Sequence, residues 1–193
     1  PRSKFYVTYA GNIGKMQGIE TIIFAAEQLK EMLDIQFVLF GNGSEEGNIR
    51  RLIEEKQLTH VQLFPLQPIE RISEVYSLGD VSIISCKPGT GSAGMPSKTW
   101  TIMACGEAII GSFDLDSEFT RTIEVAQCGL CTEAGNPSTL ANAILHLYNA
   151  PTQTKIFGKR ARHYAMTQVS KKNAVSEYIA YIEKVVSSNV SIG

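Results

Sequence analysis

Gly89-Thr90-Gly91-Ser92-Ala93-Gly94-Met95-Pro96-Ser97-Lys98, running on into Thr99-Trp100-Thr101-Ile102-Met103-Ala104-Cys105-Gly106, is the stretch from which the rest of the chain can be placed. A strand-like apolar run at 81–86 leads into it, and another apolar strand begins at Ala108. Between them the small residues predict a loop, followed by a short helix that Gly106 closes. A strand, a small-residue loop and a helix start together offer free main-chain N–H groups to an anion. Lys98 adds a positive charge in the first helical turn, where the helix dipole disfavours it. That misfit points to a ligand-binding use for Lys98; the plainer alternative is a solvent-exposed lysine after a turn.

Outward from this centre the pattern repeats. Strands are expected at 5–10, 35–40, 61–64, 81–86, 108–111 and 129–132, and helices at 19–32, 44–56, 69–77, 117–126, 138–149, 155–166 and 171–186. Ser44 is expected to cap its helix, Pro68 to occupy a first helical position, and Asn136-Pro137 to act as N-cap and first residue. Pro151 is expected to end the helix before it. Residues 187–193 have little to pack against and read as a flexible tail.

Short strands apolar on both faces, alternating with helices, predict one doubly wound α/β domain, a parallel sheet covered on both sides. In such folds ligands bind beyond the carboxyl ends of the strands. The loops at 11–18, 41–43, 65–68, 89–98 and 111–118 all follow strands and therefore share that edge. They describe a cleft of main-chain amides and hydroxyls with Lys15 and Lys98, suited to a phosphate-bearing ligand. Such loops are also rich in glycine and serine simply because they turn.

Composition excludes several classes. The 193 residues carry 18 Lys plus Arg and 19 Asp plus Glu, a formal charge of -1, without the basic excess of a nucleic-acid binder. No apolar run reaches membrane-spanning length and no signal peptide precedes the first strand. Cys128-Gly-Leu-Cys131 has metal or redox spacing but lacks a second pair, and buried free thiols in a reducing compartment are the expected state of the four cysteines, so the chain reads as cytoplasmic. No dinucleotide fingerprint, P-loop or nucleophile elbow is present. His60, His146 and His163 read as surface residues, and no metal-ligand constellation is found. A general base would have to come from Asp114, Asp116 or Glu118.

Several segments, in order, resemble the carboxyl-terminal half of retaining glycosyltransferases of the two-Rossmann-like-domain (GT-B) type, in the large family 4. They are Tyr9-Ala10-Gly11-Asn12-Ile13-Gly14 with Gln17-Gly18, Val38-Leu39-Phe40-Gly41-Asn42-Gly43, Leu78-Gly79-Asp80-Val81 and Pro96-Ser97-Lys98 with Ile102-Met103-Ala104-Cys105-Gly106. Asp114 to Glu118 and the segment 129–140 continue the match. The flavour is that of bacterial surface-polysaccharide transferases, often of amino- or deoxy-sugars.

The resemblance implies a UDP- or GDP-sugar substrate and no cofactor or metal. It implies a diphosphate near Gly14, Lys15, Ser97 and Lys98, and a base and ribose near Gly41, Asn42, Gly43, Phe64, Leu66, Gln67 and Thr101. The sugar would face Asp114, Asp116, Ser117 and Glu118, with Lys98 and Glu118 in catalytic roles. The family's glutamate pair corresponds here to Ala93 and Thr101, and an arginine and a lysine of its first loop to Asn12 and Gln17. An acceptor-binding half would precede Pro1, and the terminal helix would pack on it, so this piece alone would bind donor without turnover. A lipid-linked glycan acceptor would bring the longer protein to the inner face of the membrane. The alternatives are a degenerate, non-catalytic nucleotide-sugar-binding or regulatory domain, and an unrelated α/β binding module.

Overall fold

The computed structural model describes residues 4–169 and 171–190. Six strands form one sheet: β1 (Phe5–Ala10), β2 (Ile35–Phe40), β3 (Val61–Phe64), β4 (Val81–Ser85), β5 (Ala108–Phe113) and β6 (Gly129–Glu133). All pairings are parallel and the order is β3-β2-β1-β4-β5-β6, as the alternating pattern predicts. Every residue of β4 and β5 is buried, which is why these strands are apolar on both faces.

Eight helices accompany the sheet among the described residues: α1 (Ile19–Gln28), α2 (Glu46–Glu55), α3 (Ile72–Ser77), α4 (Lys98–Cys105), α5 (Glu118–Ala126), α6 (Pro137–Asn149), α7 (Pro151–Thr167) and α8 (Lys171–Val190). On one face Ile19, Ile22 and Ile23 of α1 and Leu140, Ile144 and Leu147 of α6 pack on Val7, Ile83 and Ile110. On the other, Tyr76, Ile102, Met103, Phe119 and Ile123 pack on Ile84 and Ile109, together with Ala161 and Ala165 of α7. The result is a three-layer α/β/α domain.

Several boundaries differ from expectation for local reasons. The first helix stops at Gln28 because residues 29–32 turn back into β2, with Met32 N–H donating to Leu29 O at 2.9 Å. Ser44 makes no cap, since α2 starts at Glu46 and the cap position falls on Glu45 without a side-chain bond. Pro68 precedes a single 3-10 turn at Ile69–Arg71, after which α3 begins. Pro151 opens α7 rather than only ending α6, because an N1 proline lacks nothing a helix start needs. Asn136 caps α6 as expected, its Oδ1 accepting from Thr139 N–H at 3.2 Å. His60 is buried rather than superficial. Its Nε2 donates to Ala26 O at 3.1 Å and its ring meets Phe37 edge-on, so burial lowers its pKa.

The last helix runs to Val190, beyond the expected end, and residues 191–193 of the expected tail lie outside the described residues. Its apolar side chains at 175, 179, 182 and 186 share one face yet Val175, Ile179, Ile182 and Val186 are each at least 48% exposed. This helix therefore adds almost nothing to the core. A chain ended after Val169 is expected to melt within about 2 °C of the full chain, whereas losing a packed helix would cost about 5 °C or more. Calorimetry of the two chains checks this.

Candidate functional site

The sheet order reverses between β1 and β4, and there the two strands part. Only Val7↔Val81 and Thr8↔Ser82 are paired, against six residue pairs between β1 and β2. The last pair is tied by hydroxyls. Thr8 Oγ1 lies 2.8 Å from Ser82 Oγ, and Ser82 Oγ donates to buried Glu107 Oε2 at 3.3 Å. Beyond that knot lies a cleft of about 550 Å³ at the carboxyl edge of the sheet. This is the switch point where doubly wound folds bind ligands. Ile84, Phe113, Ile72 and Tyr76 supply apolar walls, and Asn12, Gln17, Thr90, Ser97 and Lys98 supply polar groups.

Lys98 is the first residue of α4, and the helix start has no side-chain cap. Thr99 N–H donates to Pro96 O at 2.9 Å, so the helix start is closed there by the main chain and not by a side chain. Lys98 Nζ sits over the Tyr9 ring, 4.2 Å from its centroid. No ion pair to Lys98 occurs among the described residues. Burial without a carboxylate partner lowers its pKa from the ordinary 10.5 to about 8. Tyr9 itself donates its hydroxyl to Asn12 O at 2.6 Å, and burial raises its pKa. The phenol therefore braces the first loop beneath the amine.

That loop is anchored to the end of β4. Ser85 Oγ donates to Gln17 O at 2.7 Å, and Lys87 N–H to Met16 O at 2.8 Å. Above Gly14 the Asn12 amide donates to Gln17 Oε1 at 3.3 Å. The second loop is held by close main-chain approach: a Cβ on Gly41 would stand 2.2 Å from Gly11 O. Asn42 Oδ1 accepts from Leu66 N–H at 2.8 Å, which joins the loops after β2 and β3.

Of the residues expected from sequence, Ser97, Lys98 and Leu66 line the cleft. Gly14, Gly41, Asn42 and Gly43 lie in the supporting loops. Phe64 stacks on Phe40 at the edge, Gln67 Nε2 donates to Pro65 O, and Thr101 stands one turn beyond Lys98. Lys15 lines a separate hollow with Glu20, Glu45 and Lys87. Asp114 and Asp116 border another hollow with Leu115 and Glu133, Ser117 is the buried N-cap of α5, and Glu118 is exposed on its first turn. Asp114 spends both carboxylate oxygens on the Gly89 and Gly91 N–H groups, at 3.0 and 2.7 Å. The sequence reading missed Tyr9, Thr90 and Phe113 as cleft elements. Their positions at strand ends and in the central loop were the available signal.

All four cysteines are free, and burial raises the thiol pKa of Cys128 to about 12 and of Cys131 to about 11. Both thiols are protonated at neutral pH. Among the described residues no group of three or more His, Cys, Asp or Glu could hold a metal ion, and no helix is long and apolar enough to cross a membrane.

The sequence profile of the family Glycosyl transferases group 1 matches residues 1–164. The chain belongs to that family. Over 180 residues it is 27% identical to the "Putative colanic acid biosynthesis glycosyl transferase WcaI" of Escherichia coli K12, covering 93% of this chain and 43% of the relative. It spans between 36% and 47% of the length of the curated relatives it matches. Solved structures with the same fold include sucrose-phosphate synthase from Thermosynechococcus elongatus, with a TM-score of 0.82 at 21% identity, covering 97% of this chain and 47% of that one. Anabaena HepE in complex with UDP-glucose gives a TM-score of 0.77 at 17% identity, covering 96% and 49%. The chain is therefore a glycosyltransferase domain of GT-B type, with a Rossmann-like sheet.

The buried amine has a measurable cost in the ligand-free domain. With the folded pKa about 8 and the unfolded one 10.5, the unfolded chain binds more protons between those values, so stability rises with pH across that window. Lys98→Met is expected to be more stable than the wild type below pH 8, with the gap closing toward pH 10.5. Thermal melts of both proteins across that range check this; parallel curves would contradict the buried, unpaired state of Lys98.

Proposed function

We propose that this chain is the donor-binding half of a longer, retaining glycosyltransferase that moves a sugar from a UDP- or GDP-sugar to a glycan or lipid-linked acceptor in surface-polysaccharide synthesis. One observation carries the reading: an unpaired, half-buried lysine beside an uncapped helix start, inside a cleft at the sheet's switch point. A cation held out of water without a partner is costly, and a diphosphate would relieve that cost. Similarity to WcaI supports the surface-polysaccharide assignment, and the UDP-glucose complex of HepE supports a nucleotide-sugar ligand.

In this reading the diphosphate meets Lys98 and Ser97 at the start of α4, with Asn12 and Gln17 opposite. Charge that develops on the departing diphosphate is stabilised by donors already in position, so no metal is required for that step. The base and ribose extend past Leu66 toward Asn42, Phe64, Gln67 and Thr101. The sugar leaves the cleft toward Asp116 and Glu118, where a second half, ahead of Pro1 in the longer protein, presents the acceptor. The same absent half would cover the exposed face of α8, and in the longer protein removing α8 would then lower stability. A lipid-linked acceptor would bring the whole protein to the inner surface of the membrane.

A degenerate donor-like domain is the second reading. The neutral Asn12–Gln17 amide pair favours it, because it leaves Lys98 as the sole cation lining the cleft among the described residues. Activity on adding the missing half separates the two, and titration calorimetry tests the donor site itself. The wild-type domain is expected to bind UDP or GDP, and its sugar form, with a Kd that rises at least about tenfold in Lys98→Ala, the range of a lost charge-assisted bond. A folded wild type that ignores UDP, GDP and their sugar forms would overturn the donor-site reading.

A further inference from the structure

We propose that Asp114 is a positioning residue of the donor cleft: its carboxylate holds the 89–91 segment of the central loop, and with it Thr90, in the shape that accepts ligand. The inference rests on the nucleotide-site reading above.

Asp114 directly follows Phe113, the last residue of β5, which itself lines the cleft. Its main chain is fixed from the far side, since Asp114 O accepts from Ser117 N–H at 3.2 Å and from Thr120 Oγ1 at 3.1 Å. The carboxylate is thus presented from a rigid corner between sheet and helix. Oδ1 accepts from Gly89 N–H at 3.0 Å and Oδ2 from Gly91 N–H at 2.7 Å. The fit is close enough that a Cβ on Gly91 would stand 2.9 Å from Asp114 Cβ, Asp114 Oδ2 and the Phe113 ring. Gly89 takes φ +79°, a conformation other residues rarely adopt.

Thr90 lies between the two clamped amides and lines the cleft. Its hydroxyl and its N–H both return to Lys87 O, at 2.7 and 3.1 Å. The rest of this loop has only a single 3-10 turn, Gly91–Ala93, before Gly94 at φ +125°. Two charge-assisted bonds from one carboxylate are accordingly its principal attachment to the sheet. The arrangement also resolves an electrostatic conflict. A bare carboxylate one residue beyond cleft-lining Phe113 would repel an anionic ligand, whereas two N–H dipoles offset its charge. The same bonds occupy the Gly89 and Gly91 N–H groups and one acceptor position on each carboxylate oxygen.

The test uses the isotope-labelled chain. On acidification, the Gly89 and Gly91 amide shifts in the wild type are expected to follow the Asp114 side-chain carboxyl resonance. In Asp114→Ala the exchange of those two amides is expected to speed up at least about tenfold, and the Kd for UDP to rise at least about tenfold, with the melting temperature little changed. Asp114→Asn, which keeps one acceptor, is expected to fall between. A purely structural role would lower the melting temperature and leave the Kd alone. Amides that ignore the Asp114 titration, or an unchanged Kd in a folded Asp114→Ala, would overturn the proposal. Should Asp114→Ala fail to fold, the wild-type titration and Asp114→Asn decide it. A wild type that binds no nucleotide removes the site reading, while the amide titration still decides the clamp.

Discussion

The parting of β1 from β4 organises this domain, because two parallel strands that are neighbours at one end and separated at the other leave a cavity only between their carboxyl ends. Pairing stops at Thr8 and Ser82, where the hydroxyl bond and buried Glu107 fasten the strands. On one side β1 continues fully paired to β2, and on the other β4 continues fully paired to β5. Each strand is therefore stiff while the gap between them stays open. The loops that border the gap are held from the sheet, through Ser85 to Gln17 and through Asp114 to Gly89 and Gly91. The first of these ties the loop after β1 to the end of β4 across the gap, and the second holds the central loop beside it.

Within that frame Lys98 is a cost to stability that the proposed donor site would explain. It stands at a helix start, half-buried, with an aromatic face below it and no ion-pair partner among the described residues. Helix dipole and burial both oppose a charge there. A residue chosen for stability alone would be apolar or acidic. In the proposed donor-site reading, a negatively charged ligand is what would reward such a poised cation.

Most of the fold was legible because it follows from pattern: apolar strands alternating with helices give a doubly wound sheet, and the small-residue loops mark one edge. Boundaries were less so where one residue serves two structures. Pro151 can end a helix or begin one, and only the contact of α6 with α7 decides. His60 looked superficial because its neighbours in sequence are polar, while its environment, Phe37 and Ala26, comes from distant segments. In the site, Ser97 and Lys98 were readable from the helix start. Lys15 was not, since the loop after β1 turns it into a separate hollow. Asp114 had the composition of a sugar ligand or a base, and its bonds to Gly89 and Gly91 depend on a loop curvature no spacing rule encodes.

The most direct measurement is the titration of the Lys98 side-chain amine by heteronuclear NMR, in the free domain and with UDP. The account requires a free pKa near 8, as burial without a partner implies, and an upward shift when the diphosphate supplies the missing negative charge. A free value at the ordinary 10.5, or one that UDP leaves unmoved while bound, would contradict it.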